Sequence, residues 1–133
     1  MEKIVDKIIQ GQTFAALGVD IEVHSRFDTW KMHYTWDVLQ MIFTEEEWRQ
    51  VLLENVNPAL LFSAKEATVK ALGVGFSHFL LNEIEIQLHS ESFIPSLTGV
   101  SRDVLLKERL FFLQGLWTMD ERHVLTVALF GRL

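Results

Sequence analysis

Apolar residues recur along this chain with two different periods, and the switches between them mark out its elements. At the start, Ile4, Val5, Ile8 and Ile9 stand at helical spacing with Lys3, Asp6 and Lys7 between them, which predicts a short amphipathic helix over residues 1–10. Residues 15–21 are a short apolar run interrupted only by Asp20, and are expected to form a buried strand. Phe27, Trp30, Tyr34 and Val38 repeat at helical spacing and predict a helix over 27–39. In Phe43-Thr44-Glu45-Glu46-Glu47-Trp48, Thr44 and Glu47 have capping-box spacing and the acids favour a first turn, so a helix starts there. Asn57-Pro58 is a second start signal, Asn as the cap and Pro at the first helical position, for a helix over 58–72 that stops at Gly73. Residues 83–88 alternate with period two and read as a half-exposed strand. Two β-rich runs, 110–118 and 123–130, are joined by residues 119–122 and read as a hairpin. This order suggests an α+β domain with helices packed on an antiparallel sheet.

Composition narrows the class. The chain has 133 residues, 49% of them apolar and 23% charged, which suits one domain with a sizeable core and excludes wholesale disorder. No repeat or Pro/Gly-rich linker divides it. The longest charge-free runs, 8–19 and 71–82, hold 12 residues each, against the roughly 20 needed to span a bilayer. Residues 1–10 carry Glu2 and Asp6 and no small-residue cleavage site, so they are not read as a secretory signal. Absence of cysteine removes disulfides, zinc ribbons and thiol catalysis. A net charge of −6 argues against nucleic-acid binding. The expectation is a soluble, cytoplasmic, acidic domain that enters neither membrane nor nucleic acid.

Two segments carry candidate chemistry. In Gly18-Val19-Asp20-Ile21-Glu22, strand geometry puts Asp20 and Glu22 on one face and Val19 and Ile21 on the other. Paired carboxylates suit a hard, oxygen-preferring ion such as Mg²⁺, and an ordinary solvated strand edge would look the same. The helix over 58–72 is apolar nearly all round yet carries Lys65, Glu66 and Lys70. Ions are expensive to bury unless paired or bound to metal, so Glu66 is either a functional carboxylate or half of a helical salt bridge with Lys70. The remaining signals are bland. The five histidines show no zinc-site pairing, Gly73-Val74-Gly75 lacks the Lys-Ser/Thr of a phosphate loop, Trp30, Tyr34 and Trp36 suit a core or an interface, and Glu45–Glu47 suit a solvated helix start.

Three motifs in order resemble the 4′-phosphopantetheinyl transferases: Gly18-Val19-Asp20-Ile21-Glu22, Phe43-Thr44-Glu45-Glu46-Glu47, and Phe62-Ser63-Ala64-Lys65-Glu66-Ala67-Thr68-Val69-Lys70-Ala71, with Arg26 six residues after Asp20. The length is similar to the small holo-acyl-carrier-protein synthases, while GVDIE and FSAKEA resemble the two-domain siderophore- and surfactin-type enzymes. The resemblance implies a single transferase-like domain over 1–133, with 1–17 as an N-terminal helical extension. It implies Mg²⁺-dependent transfer of phosphopantetheine from coenzyme A to a serine of an acyl or peptidyl carrier protein. It also implies a homo-oligomer, such as the trimer of the small synthases, with coenzyme A between subunits. Carried over by residue, Asp20, Glu22 and Glu66 would hold the metal, and Glu66 and Lys70 would be catalytic. Lys65, Lys70 and Gly73 would meet coenzyme A, and Arg26 and Lys31 would dock the carrier protein. The alternative is a relative that binds carrier protein or coenzyme A without transfer. Leu61 stands where the small synthases have Arg, and their C-terminal Ser-x-x-His is absent, with Trp117-Thr118-Met119-Asp120-Glu121-Arg122-His123 at that place.

Overall fold

The computed structural model describes residues 14–28, 36–73 and 81–133. The described elements run in the order β1 (Ala16–Val23), α1 (Trp36–Ile42), α2 (Glu45–Leu53), α3 (Pro58–Leu72), β2 (Ile84–His89), β3 (Ser92–Leu97), α4 (Gly99–Lys107), β4 (Leu110–Met119) and β5 (His123–Arg132). Short 3-10 turns occupy His24–Phe27 and Leu81–Glu83. The strands form one antiparallel sheet in the order β1-β5-β4-β3-β2, on which the helices pack, as the α+β expectation requires. The helix expected over 1–10, most of the 1–17 extension and the middle of the helix expected over 27–39 lie outside the described residues. Of that last segment, the described end is helical from Trp36 and continues past residue 39 to Ile42.

The helix starts follow their local chemistry. At α2, Thr44 Oγ1 accepts from the Glu47 amide at 3.2 Å, while Glu47 Oε1 accepts from the Thr44 amide at 2.9 Å, closing the capping box. At α3, Asn57 Oδ1 accepts from the Ala59 amide at 2.9 Å and Pro58 opens the first turn. The helix ends at Gly73, whose φ of 78° favours glycine over any side chain.

Helix α3 lies across β1 and β5 and is buried along almost its whole length. Leu60, Leu61, Phe62 and Val69 join Ile84, Ile86, Phe93, Val124 and Phe130 in the main core. Gly18 sets how close helix and strand come: a Cβ there would sit 1.8 Å from the Ala67 carbonyl oxygen. This contact corrects the expectation of a buried β1. Its face toward α3 carries Gly18, Asp20 and Glu22, which are buried, whereas Leu17, Val19, Ile21 and Val23 are exposed on the opposite face. Because β1 is an edge strand with a helix on one side only, the pleat buries its polar positions and leaves the apolar ones outside. On that outer sheet face Leu116, Leu125, Val127 and Leu129 form a second, smaller buried cluster.

Two elements went unforeseen. Strand β3 contains Pro95, which argues against a central strand. It pairs with β4 only through Ser92 and Phe93 and runs on with β2 alone, so Pro95 sits where one edge of the strand is unpaired. Helix α4 lacks a side-chain cap of its own. Its start is held from elsewhere in the chain, by Glu83 Oε2 accepting from the Ser101 amide at 3.1 Å. The expected hairpin is β4–β5, where Asp120 Oδ1 accepts from the amides of Arg122 at 2.8 Å and His123 at 2.6 Å.

Candidate active site

Strand β1 and helix α3 bring three carboxylates together. Asp20 and Glu22, two apart on the inner face of β1, are buried, and Glu66 on α3 is partly buried. One oxygen from each lies within 4.8 Å of the others, the spacing of a shared cation site. Lys70, one helical turn beyond Glu66, donates to Asp20 Oδ1 at 2.9 Å and to the Val19 carbonyl at 3.2 Å. The ion pair formed is therefore with Asp20 across elements, in place of the within-helix Glu66–Lys70 bridge that spacing alone allows. Lys70 remains half-exposed, with its ammonium at the rim of the cluster.

Asp20 Oδ2 is buried with no hydrogen-bond partner, a costly arrangement for a carboxylate oxygen. Burial, the charges of Asp20 and Glu22, and the close Asp20 side chain raise Glu66 to about 7, against the partial offset of Lys70. The bond to Asp20, together with the surrounding carboxylates, raises Lys70 in turn and keeps it cationic, against the smaller effect of burial. An all-oxygen donor set with an orphaned buried oxygen fits a hard divalent cation, Mg²⁺ above all.

Neighbouring groups keep β1 and α3 in place. Ser63 Oγ and Thr126 Oγ1 are 2.8 Å apart, and Thr126 Oγ1 donates to the Ser63 carbonyl at 2.9 Å, joining α3 to β5 beside Asp20's partner position. Lys65 points elsewhere. Its side chain is fully buried and its ammonium is used on Glu47 at 2.5 Å, on the Ile84 carbonyl at 2.6 Å and on the Leu81 carbonyl at 3.0 Å. Those three partners use all its donors, so it is not a ligand-facing cation like Lys70. Glu47 corrects the reading of residues 45–47 as a solvated helix start: Glu45 and Glu46 are exposed, but Glu47 is fully buried. Its place as the third residue of the helix was legible as a cap, and its partner eighteen residues on was not. Burial pushes the Glu47 carboxyl up and the Lys65 ammonium down, each opposed by the other's charge.

The other expected positions are scattered. Gly73 closes α3, and no described group lies within 4 Å of where its Cβ would be. Leu61 is fully buried, so no cation faces a phosphate from that position. Lys31 lies outside the described residues, and Arg26 belongs to the 3-10 turn that follows β1. A separate apolar hollow of about 330 Å³ opens between the β4–β5 turn and Ile21, lined also by Thr118, Met119 and His123. It lies on the outer sheet face, away from the carboxylates. No described helix is long and apolar enough to cross a membrane.

Comparison with known proteins supplies a context for this geometry. The profile of the 4′-phosphopantetheinyl transferase superfamily matches residues 16–128. No curated protein matches the chain in sequence. Among solved structures, the fold is similar to holo-[acyl-carrier-protein] synthase from Neisseria meningitidis, at 19% identity and a TM-score of 0.75, covering 90% of this chain and 100% of that one. It is similar also to the Plasmodium yoelii holo-ACP synthase, at 19% identity and a TM-score of 0.69 over 93% of this chain and 100% of that one. The Helicobacter pylori holo-[acyl-carrier-protein] synthase in complex with coenzyme A gives 18% identity and a TM-score of 0.69, over 86% and 99%.

Proposed function

The chain belongs to the 4′-phosphopantetheinyl transferase superfamily, and on that footing we propose that it transfers 4′-phosphopantetheine from coenzyme A to a serine of an apo acyl or peptidyl carrier protein, with Mg²⁺ as cofactor. The observation that carries the metal-dependent reading is the Asp20–Glu22–Glu66 cluster with its orphaned Asp20 oxygen. Asp20, Glu22 and Glu66 would hold the ion, which when bound neutralises charge on the pyrophosphate oxygens of coenzyme A.

The chain's own groups do the rest. The carrier serine Oγ bonds to the β-phosphorus of coenzyme A, the bond from that phosphorus to the bridging oxygen breaks, and 3′,5′-ADP leaves. Glu66 takes the serine proton at a carboxylate oxygen, directly or through a water. Lys70, cationic and half-exposed, offsets charge developing on the leaving phosphate. Arg26 and Lys31, which follow β1 in the chain, would dock an acidic carrier protein as a local basic patch.

A homo-oligomer fits the apolar face of β1. Leu17, Val19, Ile21 and Val23 are 43%, 40%, 56% and 45% exposed along one edge strand, a surface that favours a second copy over water.

Intact-mass spectrometry of an apo carrier protein incubated with the chain, coenzyme A and Mg²⁺ tests the reading. Gain of one phosphopantetheinyl group, lost with EDTA and with Asp20→Ala, is the expected result. Carrier binding without mass gain across fatty-acid, polyketide and peptidyl carriers would overturn transfer in favour of a binding-only relative.

A further inference from the structure

We propose that the buried Glu47–Lys65 pair is a positioning device for Glu66, locking α3 at the rotation that closes the carboxylate cluster. The inference rests on the metal-site reading above. It concerns residues that touch neither the cluster nor any ligand placed there.

Glu47 works for three elements at once. Its Oε1 accepts from the Thr44 amide at the start of α2, its Oε2 accepts from the Ile86 amide of β2 at 2.9 Å, and its charge meets Lys65 of α3. Lys65 in turn donates to the carbonyls of Ile84 and Leu81, and lies 5.7 Å from the centre of the Phe43 ring. Neither side chain retains any exposure. Helix α2, strand β2 and helix α3 thus meet at one ammonium, and the next residue along α3 is Glu66.

A buried ion pair is a poor way to gain stability, because desolvation offsets attraction and an apolar pair of similar volume often does as well. What it supplies is direction, since hydrogen bonds fix angles that apolar contacts allow to slip. Toward β1 and β5, α3 is held at the close approach of Gly18 to the Ala67 and Ala71 backbone, by Lys70 on Asp20 and the Val19 carbonyl, and by Ser63 with Thr126. Lys65 holds it from the other direction, toward β2 and α2. A side chain on a helix reaches about 5–6 Å from the axis, so a roll of about 15° moves its tip by roughly 1.5 Å. Metal ligands tolerate about 0.5 Å. Pinning Lys65 to three acceptors on β2, α2 and the turn before β2 removes that roll, one residue before Glu66.

The test separates position from stability. In Glu47→Gln/Lys65→Met the amide oxygen still accepts from Ile86, while the Thr44 amide and the Ile84 and Leu81 carbonyls lose their partner, so the variant is compared with wild type well below its own melting temperature. Mn²⁺ alone, titrated by electron paramagnetic resonance, should bind at least ten-fold more weakly, the usual effect of removing a group that orients a ligand. Mn²⁺ affinity equal to wild type in the folded double variant overturns the positioning role. Lys65→Met alone, which keeps the Glu47 bonds to Thr44 and Ile86, covers the case in which the double variant does not fold: the same weakening is expected, and unchanged affinity overturns the proposal. If neither variant folds, the pair serves stability and the proposal is overturned. Failure of the wild-type chain to bind Mn²⁺ would instead overturn the metal-site reading on which it rests.

Discussion

A carboxylate whose proton is held to about 7 makes the metal-free protein sensitive to pH in a direction opposite to the usual acid. The ordinary value is 4.5, so between about 4.5 and about 7 the folded chain keeps a proton on Glu66 that the unfolded chain has released. Raising pH across that window therefore favours unfolding. In EDTA the melting temperature should fall from pH 5 to pH 7 by more in wild type than in Glu66→Gln, where this contribution is absent; equal slopes would remove Glu66 as the source. Lys70→Ala should lower stability in EDTA and slow transfer by orders of magnitude. Its partner Asp20 is buried, so the loss exceeds the roughly 0–1 kcal/mol of a surface pair, and a cation at the leaving phosphate acts on the transition state besides. Parallel melting curves and single-turnover rates would decide it, and a merely two-fold loss of rate would reduce Lys70 to a structural ion pair. At this scale the sequence was informative. Strand alternation put Asp20 and Glu22 together, and an acid rising from an apolar helix singled out Glu66. What spacing could not show is that Lys70 reaches across to Asp20, fifty residues back, or that Lys65 turns inward to Glu47. Both pairings are set by tertiary packing, which no local pattern encodes.

Between elements, the quantity that matters is the separation of β1 from α3, because it sets the distance from Asp20 to Glu66. Gly18 is the spacer. A methyl group 1.8 Å from the Ala67 oxygen and 2.6 Å from the Ala71 amide nitrogen meets backbone on a buried helix, which cannot swing aside. Gly18→Ala should cost about 1–3 kcal/mol of stability in urea unfolding and should weaken Mn²⁺ binding as the strand is pushed off the helix. Full stability with full affinity would mean that the two elements slide apart without consequence. The elements with local signals were legible: α3 has Asn57, Pro58 and Gly73 at its ends, and α2 has its capping box. Those that depend on distant partners were not. Strand β3 tolerates Pro95 because it has lost its β4 neighbour by that point, and α4 borrows its cap from Glu83, sixteen residues before its start. The burial of β1 was misjudged for the same reason: apolar content does not say which face a helix will cover.

For the molecule as a whole, the two faces of the sheet make different demands. The inner face is closed by α3, and its polar members are paired or gathered into the carboxylate cluster. On the outer face a buried patch of Leu116, Leu125, Val127 and Leu129 gives way, toward the β1 edge, to Leu17, Val19, Ile21 and Val23, which water still reaches. An edge strand that shows an unbroken apolar row, with neither lysine nor proline to blunt it, invites pairing or face-to-face packing. A stable interface needs roughly 800 Å² from each partner, more than this row of four side chains offers alone, so the contact must extend onto neighbouring surface such as the hollow around Ile21 and His123. Ile21→Lys, on the most exposed of these side chains, should therefore lower the mass measured by light scattering on size-exclusion chromatography to that of one 15.4 kDa chain. The circular dichroism spectrum should not change, because Ile21 contributes nothing to the inner core. Asp20 and Glu22, its neighbours on the strand, point to the opposite face, so Mn²⁺ affinity should be retained. Lost affinity in a folded monomer would mean that the second copy shapes the metal site itself, and an unchanged mass would place the subunit contact on some other surface.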